Sequence, residues 1–144
     1  MTTLVRNMLT GKTDVHRVSP DDTVLDALRV MATHNIGAVL VTSGDELIGI
    51  LSERDYARKM VLQGKASHDT AVREVMTATL VSVTPRWTCD ECMAVMTERH
   101  VRHLPVLDED RLVGVISIGD VVRAVVQEQQ STISTLESFI MSGG

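Results

Sequence analysis

Apolar residues recur with helical spacing at Val24, Leu28 and Met31, and Leu25, Ala27 and Ala32 widen the stripe into the buried face of an amphipathic helix. Thr23 stands directly before it, where an N-cap belongs. Upstream, the short extended stretch Val15–Val18 ends at Ser19-Pro20, and proline both stops a strand and suits a helix entry. Downstream the period changes. Ala38-Val-Leu-Val-Thr42 is a β-rich run, Ser43-Gly-Asp-Glu46 a turn, and Leu47–Leu51 a second run. A second helix is predicted after Ser52, finishing over Lys59–Lys65 with Gly64 as its breaker. The order is strand, helix, strand, strand, helix.

That order occurs twice. Displaced by 65 residues, Val18–Arg58 lies on Val83–Arg123 without a gap, and 12 of the 41 pairs are identical. Average residue usage yields only a few such matches. The second copy reads Leu80–Val83, then a Thr88-capped helix with Cys89, Met93 and Met96 on its stripe. The runs Leu104-Pro-Val-Leu107 and Leu112–Ile116 follow around Asp108-Glu-Asp-Arg111, and a helix starts after Ser117. A unit of about 50 residues is marginal alone. The two are therefore expected to pack sheet to sheet as one mixed α/β (α+β) module of two pseudo-symmetric β-α-β-β-α motifs. The predicted boundaries are 1–65 for the first motif with its N-terminal segment, 66–75 for a linker, 76–126 for the second motif and 127–144 for a helical tail. Ala71-Val-Arg-Glu-Val-Met76 echoes Leu4-Val-Arg-Asn-Met8. In the tail, Val122, Val126, Ile133, Leu136 and Ile140, with Gln129 filling the gap, make a heptad-like seam. It either covers its own core or helps form a homodimer. Ser131–Thr135 is a weak helix segment where a break is allowed, and residues 142–144 are expected to be disordered.

Charge narrows the function classes. With Lys+Arg 14 against Asp+Glu 19, the net charge of −5 argues against a binder of nucleic-acid backbones. Tyr56, Trp87 and Phe139 are too few aromatics for a base-stacking platform. No apolar run reaches the ~18 residues of a membrane span. The N-terminus lacks a signal peptide's charged start and apolar stretch, so a cytoplasmic location is expected.

The sharpest chemistry lies in Gly49-Ile-Leu-Ser-Glu-Arg-Asp55 and Gly114-Val-Ile-Ser-Ile-Gly-Asp120. Each places a strand end, a serine, and an aspartate three residues on in the first turn of a helix. A capping box explains Ser-x-x-Asp without any ligand. The same geometry also suits one. The helix start attracts a phosphate, Ser donates to it, and the carboxylate accepts two hydrogen bonds from a ribose diol. The glycine two residues ahead of an apolar strand end is not needed by a cap, and the repetition favours a ligand.

These motifs, with Arg102-His-Leu-Pro-Val106, resemble a tandem pair of cystathionine-β-synthase (CBS) domains of the small stand-alone bacterial and organellar type, over about residues 4–126. The resemblance implies a non-catalytic regulatory module with two clefts for AMP, ADP, ATP, NAD or S-adenosylmethionine. It commonly associates as a homodimer and modulates an unknown partner protein. Carried over by motif position, Asp55 and Asp120 hold ribose hydroxyls, while Ser52, Ser117, Arg54 and Arg102 serve the phosphate. The base and cleft positions are His16, Arg17, Ile36, Gly37, Ala38, Ser82, Val83, His103, Leu104 and Pro105. The halves differ here: Arg102 and His103 replace Gly37 and Ala38, and Gly119 replaces Arg54, so unequal clefts are expected.

Cys89-Asp-Glu-Cys92 at a helix start is a candidate redox pair, but the repeat puts the two cysteines on Val24 and Ala27, which are core positions. Two thiols and five scattered histidines make no metal set. No nucleophile–base pair is visible, so no enzyme is expected. The alternatives are a structural dimerisation module with vestigial clefts, or a thiol-redox regulator.

Overall fold

The computed structural model describes residues 2–10 and 15–141. Two compact units result, one from residues 15–81 and the other from 82–141 together with 2–10. In the first, helix α2 (Val24–His34) is preceded by strand β1 (Arg17–Val18) and followed by β2 (Ala38–Ser43) and β3 (Glu46–Ser52). Strand β1 runs parallel to β2 and β2 antiparallel to β3, in the order β1-β2-β3. Thr23 caps α2 as expected, its hydroxyl accepting from the Asp26 amide (3.1 Å). Asn35 ends the helix in the left-handed conformation that a C-terminal cap requires. Val24, Ala27 and Met31 then pack on Val39, Val41 and Leu51 in the core of this unit. After β3 come one α-turn, α3 (Glu53–Tyr56), a π-helical turn over Ala57–Val61, and a short α4 (Val72–Val75).

The second unit repeats the scheme with α5 (Cys89–Arg99), β4 (His103–Asp108) and β5 (Arg111–Ser117), and with His100 left-handed where Asn35 stood. Two differences have physical causes. The expected strand at Leu80–Val83 shrinks to a single parallel bridge, Val83 to Val106. In the first unit the Leu40 amide donates to the His16 carbonyl (3.2 Å). The matching residue is Pro105, which has no N–H to give. Secondly, the final helix α6 (Ile118–Met141) runs unbroken through Ser131–Thr135, where a break was allowed. The expectation for residues 142–144 lies outside the described residues.

The grouping of 1–65 as one body needs correction. The segment around α1 (Val5–Met8) completes the second unit, not the first. The Val5 amide donates to the Trp87 carbonyl (2.8 Å), that of Arg6 to Pro85 (3.0 Å), and Cys89 N–H to the Thr3 carbonyl (2.9 Å). The same pattern recurs in the first unit. Val72 donates to Asp22 (2.8 Å), Arg73 to Pro20 (3.0 Å), and Val24 to the Thr70 carbonyl (2.9 Å). The two echoing Val-Arg segments are thus docking strips. Each answers backbone groups at a proline turn and a helix start that would otherwise be buried without partners.

Glu109 (φ 50°) and Asp110 (φ 66°) form the two-residue β4–β5 turn, both left-handed. Asn-Gly suits that turn far better. The pair Glu109→Asn with Asp110→Gly is expected to raise the unfolding free energy by about 1 kcal/mol in urea melts.

Candidate functional site

Both Ser-x-x-Asp motifs sit where a strand turns into a helix, one in each unit. Ser52 ends β3 and caps α3: its hydroxyl accepts from the Asp55 amide (3.1 Å) and donates to Asp55 Oδ2 (3.0 Å). The Ser52 amide donates to the same Oδ2 (3.0 Å). Ser117 and Asp120 repeat all three bonds at 3.3, 3.0 and 2.7 Å. One carboxylate oxygen is therefore the acceptor of a capping box in each unit.

The other oxygen is held differently in the two. Asp55 Oδ1 accepts from the Thr77 hydroxyl (3.1 Å) and pairs with Lys59 (3.2 Å), whose ammonium also donates to the Val75 carbonyl (3.1 Å). Asp120 Oδ1 pairs with Arg123 (2.6 Å). Lys59, Thr77 and Arg123 are members of the site that the sequence reading missed. Lys59 and Arg123 were legible as cations one helical turn beyond their aspartates. Thr77 had no such signal, because it arrives through tertiary structure.

Glycine explains that arrival. A Cβ on Gly49 would lie 2.6 Å from Met76 Sδ and 3.2 Å from the Thr77 carbonyl oxygen. With no side chain there, the chain at Met76–Thr77 crosses β3 closely enough for Ile50 and Thr77 to exchange hydrogen bonds (3.0 and 2.8 Å). Gly114 is the counterpart, covered by the Leu9 side chain, whose Cδ2 would meet a Cβ at 2.8 Å. The glycine taken as a sign of ligand is therefore accounted for by packing.

The remaining expected residues divide by exposure. Gly37 and Arg102 act through their backbone. The Gly37 carbonyl accepts from the Glu53 amide (3.0 Å), and the Arg102 carbonyl accepts from Ile118 N–H (2.8 Å). Two of the first three amides of each helix are thus engaged, which narrows the anion seat expected there. Ala38 and His103 pair in register with Ser52 and Ser117. Ala38, Val83, Leu104 and Pro105 are buried and build walls, Ile36 is partly buried, and Arg17, Arg54, Ser82 and Arg102 are exposed. The His16 ring stacks on His34, centroids 3.7 Å apart.

The CBS domain profile matches this chain twice, over residues 5–62 and 72–127. The chain belongs to the CBS-domain family. Among relatives of this CBS protein, the mitochondrial CBS domain-containing protein CBSX3 of Arabidopsis thaliana is 43% identical over 128 residues. That match takes in 85% of this chain and 62% of the plant protein, so the chain spans less than two thirds of that relative. A solved CBS-domain protein from Burkholderia ambifaria is 49% identical with a TM-score of 0.84, covering 88% of this chain and 96% of that one. The CBS domain pair of protein MJ0100, solved with 5′-methylthioadenosine and S-adenosyl-L-methionine, shares the fold at 22% identity and a TM-score of 0.79, over 89% of this chain and 99% of its own.

The cysteines of this CBS protein are buried. Burial, with Glu128 accepting from the Cys89 thiol (3.3 Å), pushes Cys89 up to about 11, and burial beside Cys89 does the same to Cys92. Both are thiols at neutral pH, the opposite of an activated redox pair. Alkylation by iodoacetamide at pH 8 should run about a hundredfold slower in the native protein than in urea-unfolded chain, the ratio expected for two units of pKa. Because the folded values lie above the unfolded ones, the thiols' contribution to stability is complete below pH 9 and is lost as the pH rises toward 11. Gly49→Ala is expected to cost about 1–3 kcal/mol and more than Gly114→Ala, since the first meets backbone and the second only a flexible leucine.

Proposed function

We propose that the protein is a non-catalytic regulatory module that binds an adenosine-bearing ligand and, as a homodimer, passes its occupancy to a partner protein. The observation that carries this reading is the divided use of each aspartate. Oδ2 of Asp55 and of Asp120 belongs to the helix cap, whereas Oδ1 is held by side chains that can leave. Lys59 is 40% exposed and Arg123 69% exposed, so either cation can turn into solvent, while Asp55 and Asp120 are only 14% and 5% exposed and need a replacement donor when it does. A ribose diol then replaces them on Oδ1 and gains charge-assisted hydrogen bonds, with the cap intact. The 5′-methylthioadenosine and S-adenosyl-L-methionine bound by the MJ0100 pair support an adenosine ligand. On this reading Ser52 and Ser117 reach a phosphate only by giving up the bond to their own aspartate, and Arg54 and Arg102 are its cations. The His16, Arg17, Ile36–Ala38 and Ser82–Val83 positions, with His103–Pro105, line the base.

The two halves are unequal, with Arg54 opposite Gly119 and Lys59-Thr77 opposite Arg123, so one site takes its ligand more tightly than the other. The alternative, a dimerisation module with vestigial clefts, is favoured by the complete internal satisfaction of both carboxylates.

Calorimetric and thermal-shift titrations with AMP, ADP, ATP, NAD and S-adenosylmethionine separate the two. Binding stabilises by roughly 2.7 kcal/mol at a hundred times Kd. Asp55→Asn and Asp120→Asn, chosen because an amide oxygen still caps the helix, should each weaken one site about ten- to hundredfold. No shift with any ligand, or wild-type binding in both variants, would sink the adenosine reading.

A further inference from the structure

Helix α6 has two faces, and only one is used by its own unit. Its buried residues are Asp120, Val121 and Ala124, on the side toward α5 and β5. Val122, Val126, Ile133, Leu136 and Ile140 are 43–71% exposed and lie with Gln129 on another stripe, at spacings of 4, 3, 4, 3 and 4. From Ser131 to Met141 every residue is exposed, and Thr2 lies beside Thr132 and Ile133 at the start of that stretch. That stretch is rich in Ser and Thr, and so short a segment is marginally helical without packing.

We propose that this seam pairs with the same seam of a second copy as a parallel, in-register, two-stranded coiled coil pinned at Gln129. The inference rests on the homodimer in the proposed function and names its contact. With Val126, Ile133 and Ile140 as a positions and Val122, Gln129 and Leu136 as d, the a layers are all β-branched and Leu136 stands at d, the combination that favours two parallel strands. Gln129 is the one polar layer. Its amide both donates and accepts, so it is satisfied when it faces its own copy, and a slipped register would bury it against Val or Ile. The flanking positions set no like charges against each other: in a parallel pair Val125 faces Gln130, and Thr132 faces Glu137. The exposed seam with Phe139 offers on the order of 600 Å² per copy, at the lower end of the ~600–1,000 Å² per partner of a specific interface. A lipid surface is a poorer occupant, because α6 carries no Lys or Arg between Ala124 and Met141 to meet anionic headgroups.

Sedimentation equilibrium on the full chain should give a dimer. Ile133→Glu with Leu136→Glu, both at positions more than half exposed, should weaken association at least about a hundredfold. Trp87 fluorescence should stay unchanged while far-UV helicity falls. Leu136→Cys should cross-link to itself under mild oxidation, since a parallel in-register pair sets the two 136 positions face to face, whereas an antiparallel pair over the whole seam sets position 136 against position 126. A monomer at all concentrations would overturn both this contact and the homodimer. A dimer that survives the double glutamate variant, or that does not cross-link, would leave the homodimer standing and overturn the seam.

Discussion

A strand that becomes a helix over one residue must satisfy the helix's first amides immediately, and in this protein the serine–aspartate cap meets that need in both halves. The cap determines where the aspartate sits: a carboxylate that accepts from both the Ser52 amide and its hydroxyl has one oxygen committed to the backbone. Its second oxygen is then met by other side chains, Lys59 one turn on and Thr77 for Asp55, and Arg123 one turn on for Asp120. At the aspartate the structural and ligand-binding readings of Ser-x-x-Asp therefore use different oxygens, whereas at the serine they share one hydroxyl. The cap uses Oδ2, and on the proposed reading a ribose takes Oδ1.

A second constraint is the exchange of docking strips. Each half presents carbonyls and amides at its proline turn and helix start, and each is answered by the Val-Arg strip that precedes the other half in sequence. The repeat displacement is 65 residues for the motifs and 67 for the strips, Val5 to Val72, so the correspondence is maintained through separate loops. The strip also carries the residue that covers the motif glycine, Met76 over Gly49 and, just beyond α1, Leu9 over Gly114. Cutting off the N-terminal strip would thus uncover the strand of the second half, not the first.

Much of this was legible in residue order. Equal spacing of Val, Pro and Thr through an ungapped repeat established the element order, the Thr23 and Thr88 caps and the two Ser–Asp junctions. What could not be read had identifiable causes. The exchange of strips depends on which of two similar surfaces each Val-Arg segment meets, and sequence proximity points to the wrong one. The reach of Thr77 to Asp55 depends on a strand crossing permitted by Gly49, which as a bare motif letter suits a ligand or a crossing equally well. The loss of the second half's first strand was available in principle, since Pro105 stands where a ladder donor was needed.

The asymmetry of the two halves follows from what comes after the shared cap. From Ala57 the first half passes into a π-helical turn and stops near Gly64, and Lys59, at i+4, pairs with Asp55. Beyond Arg123 the second half stays α-helical, and Arg123, at i+3, takes the aspartate instead. The regular helix then continues to Met141, which keeps the apolar stripe of α6 in phase over its whole length. A π-turn at the same place would rotate Val126 and Ile133 off the line of Val122 and destroy the seam. One local choice of helix type thus separates a half that ends at its site from a half that extends beyond it, and the outward face of α6 exists only because the second half made that choice.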